Sequence, residues 1–261
     1  MRPSTALSFA LLSVAACSTA EPAYLGHWVP DASRTDMSNI TVQYEVIDSM
    51  TYRVSVDGQT YLMPVDGSEA DTPWGGTIAV RQLDSLSWES IFRVGGNVIG
   101  TDTLWLAADG STLTVHGHRT GASGSGEMSD TRFQRVAGGP GLAGTWSGAA
   151  TTGGMIGELT ITAAGDSALA IHFSSMQADC TPPLDGTDAL ATSPMFDGTW
   201  TCAIAEREDG GLTLTWKRSG TPRYIAEYTV AATGDTLTEV STATDVNEPV
   251  TVVYVKSGEE H

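Results

Sequence analysis

The 261-residue chain is 41% hydrophobic and 17% charged, a balance that can build a core and excludes a disordered, charge-dominated chain. Its 13 basic residues face 31 acidic ones, for a net charge of −18. That excess excludes a non-specific nucleic-acid binder, which needs Lys and Arg to neutralise phosphates, and it opposes charge-driven docking on anionic lipid.

Residues 1–16 read as a secretory signal. Arg2 supplies a positive start and Ala6 to Ala16 an apolar stretch too short to span a bilayer. Val14-Ala15-Ala16-Cys17 resembles a bacterial lipobox. The resemblance implies that Cys17 is acylated and becomes the first mature residue, giving a stable membrane anchor. Ser18 follows, where lipoproteins retained in a Gram-negative inner membrane carry Asp, so the expected location is the outer membrane, facing the periplasm. An ordinary signal peptide with a chance cysteine is the competing reading. Residues 17–23 form the lipidated tether, and the six after Cys17 reach roughly 20 Å at most. No other stretch contains 18 apolar residues, so no further span is expected.

Acylation of Cys17 leaves Cys180 and Cys202. An exported chain meets an oxidising compartment, so these two are expected to form a disulfide. Closing a loop of that size contributes about 3 kcal/mol in the chain-entropy account.

From residue 24 the chain reads as strands. Ile40, Val42, Tyr44 and Val46 alternate with polar residues. Asp57-Gly58 sits between TYRVSV and QTYLMPV, a hairpin signal. Leu86, Trp88, Phe92 and Val94 share one face. Ala137-Gly138-Gly139-Pro140-Gly141 breaks both helix and strand and is read as a linker. Beyond it, Leu159 and Ile161, then Leu169, Ile171 and Phe173, then Leu212, Leu214 and Trp216 alternate again.

The two halves repeat. Leu25-Gly26-His27-Trp28 matches Ala143-Gly144-Thr145-Trp146, and Val65-Asp66-Gly67-Ser68 matches Leu184-Asp185-Gly186-Thr187. Trp88 is aligned with Trp216, and 104–115 with 228–239, although Glu239 then falls where Val115 sits. The expected domains are 24–136 and 142–256, with 137–141 between them and a tail at 257–261. Each is expected to be an antiparallel, all-β, up-and-down barrel of about eight strands, because closure removes exposed edges.

Gly26-His27-Trp28 and Gly144-Thr145-Trp146 resemble the Gly-x-Trp that opens lipocalin barrels. The run GGTIAVRQLDSLSWESIFRVGGNVIGTDTLWLAADGSTLTV is similar to small bacterial lipocalin-like domains. The resemblance implies two tandem lipocalin-like barrels, with the tryptophan packed across each closed end.

Catalytic patterns are missing: there is no Gly-x-Ser-x-Gly, no phosphate-binding Gly-rich loop and no His-Glu-x-x-His. His116 and His118 oppose the apolar Leu113 and Val115, so they read as an outward polar stripe, as does His172. Asp66, Glu69 and Asp71, and Glu206, Glu208 and Asp209, read as solvated turns rather than metal sites. Neither a metal nor another cofactor is expected. Trp28, Trp88, Phe92, Trp146 and Trp216 are the candidate core or ligand-lining residues. Trp105 is expected outside, as a candidate contact for a partner or the bilayer interface.

Two functional readings follow. One is a non-enzymatic lipoprotein whose barrels bind a small apolar ligand, since a small barrel can hold one. The other is a structural or protein-interaction lipoprotein with side-chain-filled barrels. If one barrel binds, the expectation favours the first, where Arg53, Arg81, Arg93 and Arg119 are candidates to meet an anionic head group.

Overall fold

A computed structural model of the chain describes residues 21–56, 58–120, 126–153, 156–244 and 248–258. The signal sequence and Cys17 lie outside the described residues. Every regular element described is a β-strand. The first ten are β1 (Gly26–Pro30), β2 (Thr41–Asp48), β3 (Thr51–Val56), β4 (Gln59–Pro64), β5 (Asp66–Asp71), β6 (Thr77–Gln82), β7 (Ser87–Val94), β8 (Asn97–Leu106), β9 (Thr112–Thr120) and β10 (Gly126–Ala137). The second ten are β11 (Gly144–Gly153), β12 (Leu159–Ala163), β13 (Leu169–Phe173), β14 (Ala178–Cys180), β15 (Ala189–Thr192), β16 (Trp200–Glu206), β17 (Leu212–Arg218), β18 (Thr221–Val230), β19 (Thr236–Ala243) and β20 (Val250–Lys256).

They form two antiparallel sheets of ten strands each, not eight. The difference has local causes. Strands β14 and β15 have three and four residues, too short to display an alternating pattern. Asp66–Asp71, read as a turn, is strand β5, paired to β6 through a bulge at its start. Strands β3 and β4 pair as a hairpin there, with Val56 paired to Gln59, while Asp57 lies outside the described residues.

The barrels do not coincide with the two sequence halves. The closed barrel contains β12 to β20 together with β1. The other sheet runs β4-β3-β2-β11-β10-β9-β8-β7-β6-β5. Each half has therefore given its first strand to the other. We call the sheet built on β2–β11 barrel 1 and the closed one barrel 2. Barrel 1 is nearly closed: its edges β4 and β5 are consecutive in the chain and meet at the buried Val65.

Residues 137–141 consequently do not link the barrels. They form the turn between β10 and β11 within barrel 1. Arg135 fastens that turn by donating to the carbonyls of Gly139 at 2.7 Å and of Gly141 and Ala143 at 2.5 Å. The chain crosses between barrels at 31–40 and again between β11 and β12. The first crossing touches both: Asn39 Nδ2 donates to Pro249 O at 2.7 Å, and Ser147 Oγ donates to Ser38 O at 2.6 Å. The two Gly-x-Trp strands carry one sequence pattern.

The exchanged strands are near replicas. Trp28 pairs with Lys256 and Leu159, while Trp146 pairs with Arg135 and Val42. Both tryptophans are fully buried. Trp28 Nε1 donates to Tyr24 O at 2.9 Å, and Trp146 Nε1 to Leu142 O at 3.0 Å. A cation covers each ring: Lys256 Nζ at 5.2 Å and the Arg135 guanidinium at 4.1 Å. The preceding glycine has φ +143 in both strands, and a Cβ there would meet Lys256 Cε at 2.6 Å or Ala137 O at 2.4 Å. Glycine lets the strand pass under the last strand's cation.

The ladder register also corrects one alignment. Trp88 pairs with Leu104 and Leu212 with Tyr228, so Leu212 is the counterpart of Trp88. Trp216 corresponds instead to Phe92, since these pair with Tyr224 and Gly100. The slip was four residues, an even number, so it kept the inward face.

Candidate functional site

Up-and-down connection puts one end of each barrel at its Gly-x-Trp turn. The opposite rims face each other, because both crossings run between them. Barrel 2 encloses a cavity of about 380 Å³ at that junction. Its walls are aromatic and apolar: Phe173, Phe196, Trp200, Trp216, Met176 and Val252 all line it. The rings interlock, with Phe196 stacked on Trp200 at 5.0 Å and set edge-on to Trp216 at 5.9 Å. Phe173 meets Trp216 edge-on at 5.6 Å.

Barrel 1 contributes to the lining. Phe92 of β7 and Trp74, on the β5–β6 turn, reach the cavity. Trp74 rests edge-on against Tyr61 at 5.8 Å. Its turn is fastened across the junction, where Arg218 Nη1 donates to Pro73 O and Nη2 pairs with Asp197 at 2.6 Å.

Among these apolar walls sits one carboxylate. Glu239, on β19, is enclosed by the hydroxyls of Tyr228, Ser241 and Tyr254. Tyr254 Oη donates to Glu239 Oε2 at 3.0 Å. Tyr228 Oη faces the same carboxylate but completes no hydrogen bond of good geometry. Burial pushes the Glu239 carboxyl above the usual range, while the three surrounding hydroxyls pull the other way. Burial, followed by the proximity of Glu239, holds both phenols well above their ordinary value. The buried Trp200 Nε1 also lacks a hydrogen-bond partner.

The same positions in barrel 1 are apolar. Leu104 pairs with Val115 where Tyr228 pairs with Glu239, and Phe133 pairs with Leu113 where Tyr254 pairs with Leu237. Leu104 and Phe133 are buried in the barrel 1 core and Val115 packs against it. Among the described residues, this cavity lies in barrel 2, whereas the expectation favoured the first domain.

Other expected residues fall as follows. Trp28, Trp88 and Trp146 are core residues, away from the cavity, whereas Phe92 and Trp216 line it. Trp105 is half exposed, edge-on to His116 at 4.6 Å. Cys180 and Cys202 are disulfide-bonded within the barrel 2 core, joining the two strands that flank β15. Arg53, Arg81 and Arg93 are not aimed at an internal anion: they pair with Glu45 at 2.6 Å, Glu89 at 2.9 Å and Glu69 at 3.1 Å. The side chain of Arg119 lies outside the described residues. His116 pairs with Asp130, His172 with Asp179 and His27 with Glu158. Glu206 accepts from Tyr24 Oη at 2.8 Å, and Asp209 pairs with Arg207. Among the described residues, no three His, Cys, Asp or Glu side chains are grouped to hold a metal.

Trp74, Tyr228, Glu239 and Tyr254 were not picked out as site residues from the sequence. A signal for Glu239 was present: an acid on an inward-facing strand position, at a break in the repeat.

The chain matches no known protein family, and no curated protein is significantly similar to it.

Proposed function

We propose that the protein is a non-enzymatic envelope lipoprotein, and that barrel 2 binds one small, mostly apolar molecule. The observation that carries the binding reading is the cavity of about 380 Å³, walled by aromatic side chains and supplied with a few inward polar groups. Ligand sites have this size and composition. The unpaired Trp200 Nε1 would be completed by a polar group on the ligand. The turn bearing Trp74 lines the cavity from barrel 1, which makes barrel 1 part of the site. The envelope reading rests on the signal sequence and Cys17.

Barrel 1 favours a second, structural role for itself. Its buried apolar cluster includes Trp88, Leu104, Leu113, Phe133 and Trp146. Outside, the exposed Trp105 pairs with Ser87, next to the exposed Leu86, an apolar spot suited to a partner or a lipid surface.

Native mass spectrometry tests the binding reading. Residues 18–261, which include every strand, are exported behind a non-lipoprotein signal and purified without detergent. A mass excess removed by organic extraction is expected, and Ala226→Leu, which fills the cavity, abolishes it. A mass equal to the oxidised chain alone, together with no uptake of added apolar probes, refutes it. For the anchor, Cys17→Ser is expected to release the protein from the membrane fraction; unchanged membrane association refutes that part.

A further inference from the structure

We infer that the ligand of barrel 2 carries a basic amine, held as an ammonium against the Glu239 carboxylate inside the aromatic cavity. This inference rests on the binding reading above and names the chemistry of its ligand.

Consider first what Glu239 meets. Strand β18 presents Tyr228 to it, β20 presents Tyr254, and its own strand presents Ser241. All three are hydroxyls, which can donate to an anion but carry no charge. Among the described residues lining the cavity there is no lysine or arginine. The site therefore has donors arranged for a carboxylate and lacks a counter-charge. Burial of an unpaired charge is costly, so the acid resists ionisation. An ammonium would supply the missing charge and present N–H donors to the carboxylate.

The walls fit the same ligand. Cations are attracted to aromatic faces, and more strongly where water is excluded. Trp200, Trp216, Phe173 and Phe196 interlock around the cavity and provide such faces. The fold itself does not require this polar group, because Val115 occupies the equivalent position in barrel 1 with Leu104 and Phe133 beside it. The chain's net charge of −18 also favours approach of cations over anions.

The competing ligand chemistries fare worse. A carboxylate ligand would place two acids together in a low-dielectric space. An alcohol would hydrogen-bond the neutral acid but bring no counter-charge. The proton balance is simple: wherever Glu239 is protonated, entry of the ammonium releases that proton to solvent and leaves a carboxylate–ammonium pair. Amine affinity thus rises with pH through the range in which Glu239 titrates.

Three probes of one scaffold test this by calorimetry at pH 7 on residues 18–261: tryptamine, indole-3-ethanol and indole-3-propionate. Tryptamine is expected to bind at least about tenfold more tightly than the alcohol, the propionate most weakly. Glu239→Gln, and Glu239→Val as the barrel 1 residue at that position, are expected to lower tryptamine affinity at least about tenfold, to no more than that of the alcohol on the same variant. Circular dichroism establishes that at least one variant is folded. Equal or weaker binding of tryptamine relative to the alcohol overturns the inference while leaving the binding reading standing. So does an amine preference that survives in a folded variant. Failure of all three probes to bind the unmodified chain counts against the binding reading itself.

Discussion

Removing the second Gly-x-Trp tryptophan separates the exchanged topology from a simple tandem one. Trp146 belongs to the second sequence half, yet its ring is fully buried in barrel 1. Trp146→Ala deletes that ring, its hydrogen bond to Leu142 O and its contact with Arg135. Burying and then losing a tryptophan in a core costs about 3–5 kcal/mol. At 1.4 kcal/mol per decade, that is roughly two to three and a half orders of magnitude in the opening equilibrium. Hydrogen exchange followed by mass spectrometry reads this strand by strand. Peptides from β2–β10 are expected to lose protection in Trp146→Ala while β12–β20 keep theirs. Trp28→Ala, its mirror, is expected to loosen β12–β20 and spare β2–β10. If Trp146→Ala instead loosens β12–β20 first, the strand exchange is wrong.

The two glycines before those tryptophans should differ in sensitivity. A Cβ at Gly144 meets backbone, whereas at Gly26 it meets the flexible end of Lys256, so Gly144→Ala should lower the urea midpoint more than Gly26→Ala. Replacing both Cys180 and Cys202 by Ser is expected to cost about 3 kcal/mol in urea unfolding, with no difference once the unmodified chain is reduced. Glu239 gives a pH signature whose sign is fixed by its raised pKa. Between the unfolded and folded values the native state holds a proton the unfolded chain has released, so stability from this group is complete at low pH. It declines as pH rises through the folded value, and Glu239→Gln should flatten that decline in thermal melts from pH 5 to 9. Three surface aspartates behave oppositely. Asp66, Asp109 and Asp185 are held below the usual carboxylate range by hydrogen bonds from residues two positions on. Their contribution is present above the unfolded value and is lost as pH falls through the folded one, which should appear as an acid limb in the same melts.

The all-β, two-barrel fold was readable because inward residues recur every second position and Asp-Gly pairs punctuate the strands. Asp57-Gly58 and the β17 run of Leu212, Leu214 and Trp216 show both signals at full strength. Strand ownership was not readable. Gly26-His27-Trp28 and Gly144-Thr145-Trp146 are interchangeable in pattern, and nothing local states which barrel each completes. The site was partly hidden for a related reason. Phe92 and Trp216 look like core, and the distinction between core and cavity wall depends on what faces them across the barrel. Trp74 lies on a turn and gains its place from the other barrel's rim, which no periodicity encodes. Glu239 was the legible exception, an acid where alternation asks for an apolar residue.

The exchange of first strands bears on the order in which the barrels can form during synthesis. Barrel 1 has all its strands once β11 has emerged. Barrel 2 needs β1, near the start of the chain, to pair with β20 at its end, as Trp28 does with Lys256. The N-terminal strand must therefore wait, edge exposed, until nearly the whole polypeptide has been delivered. Such long-range closure is slow and leaves an unpaired edge open to wrong partners. β1 precedes β2–β11 in the chain, can pair with β12 once that strand is made, and has its second edge covered only by β20.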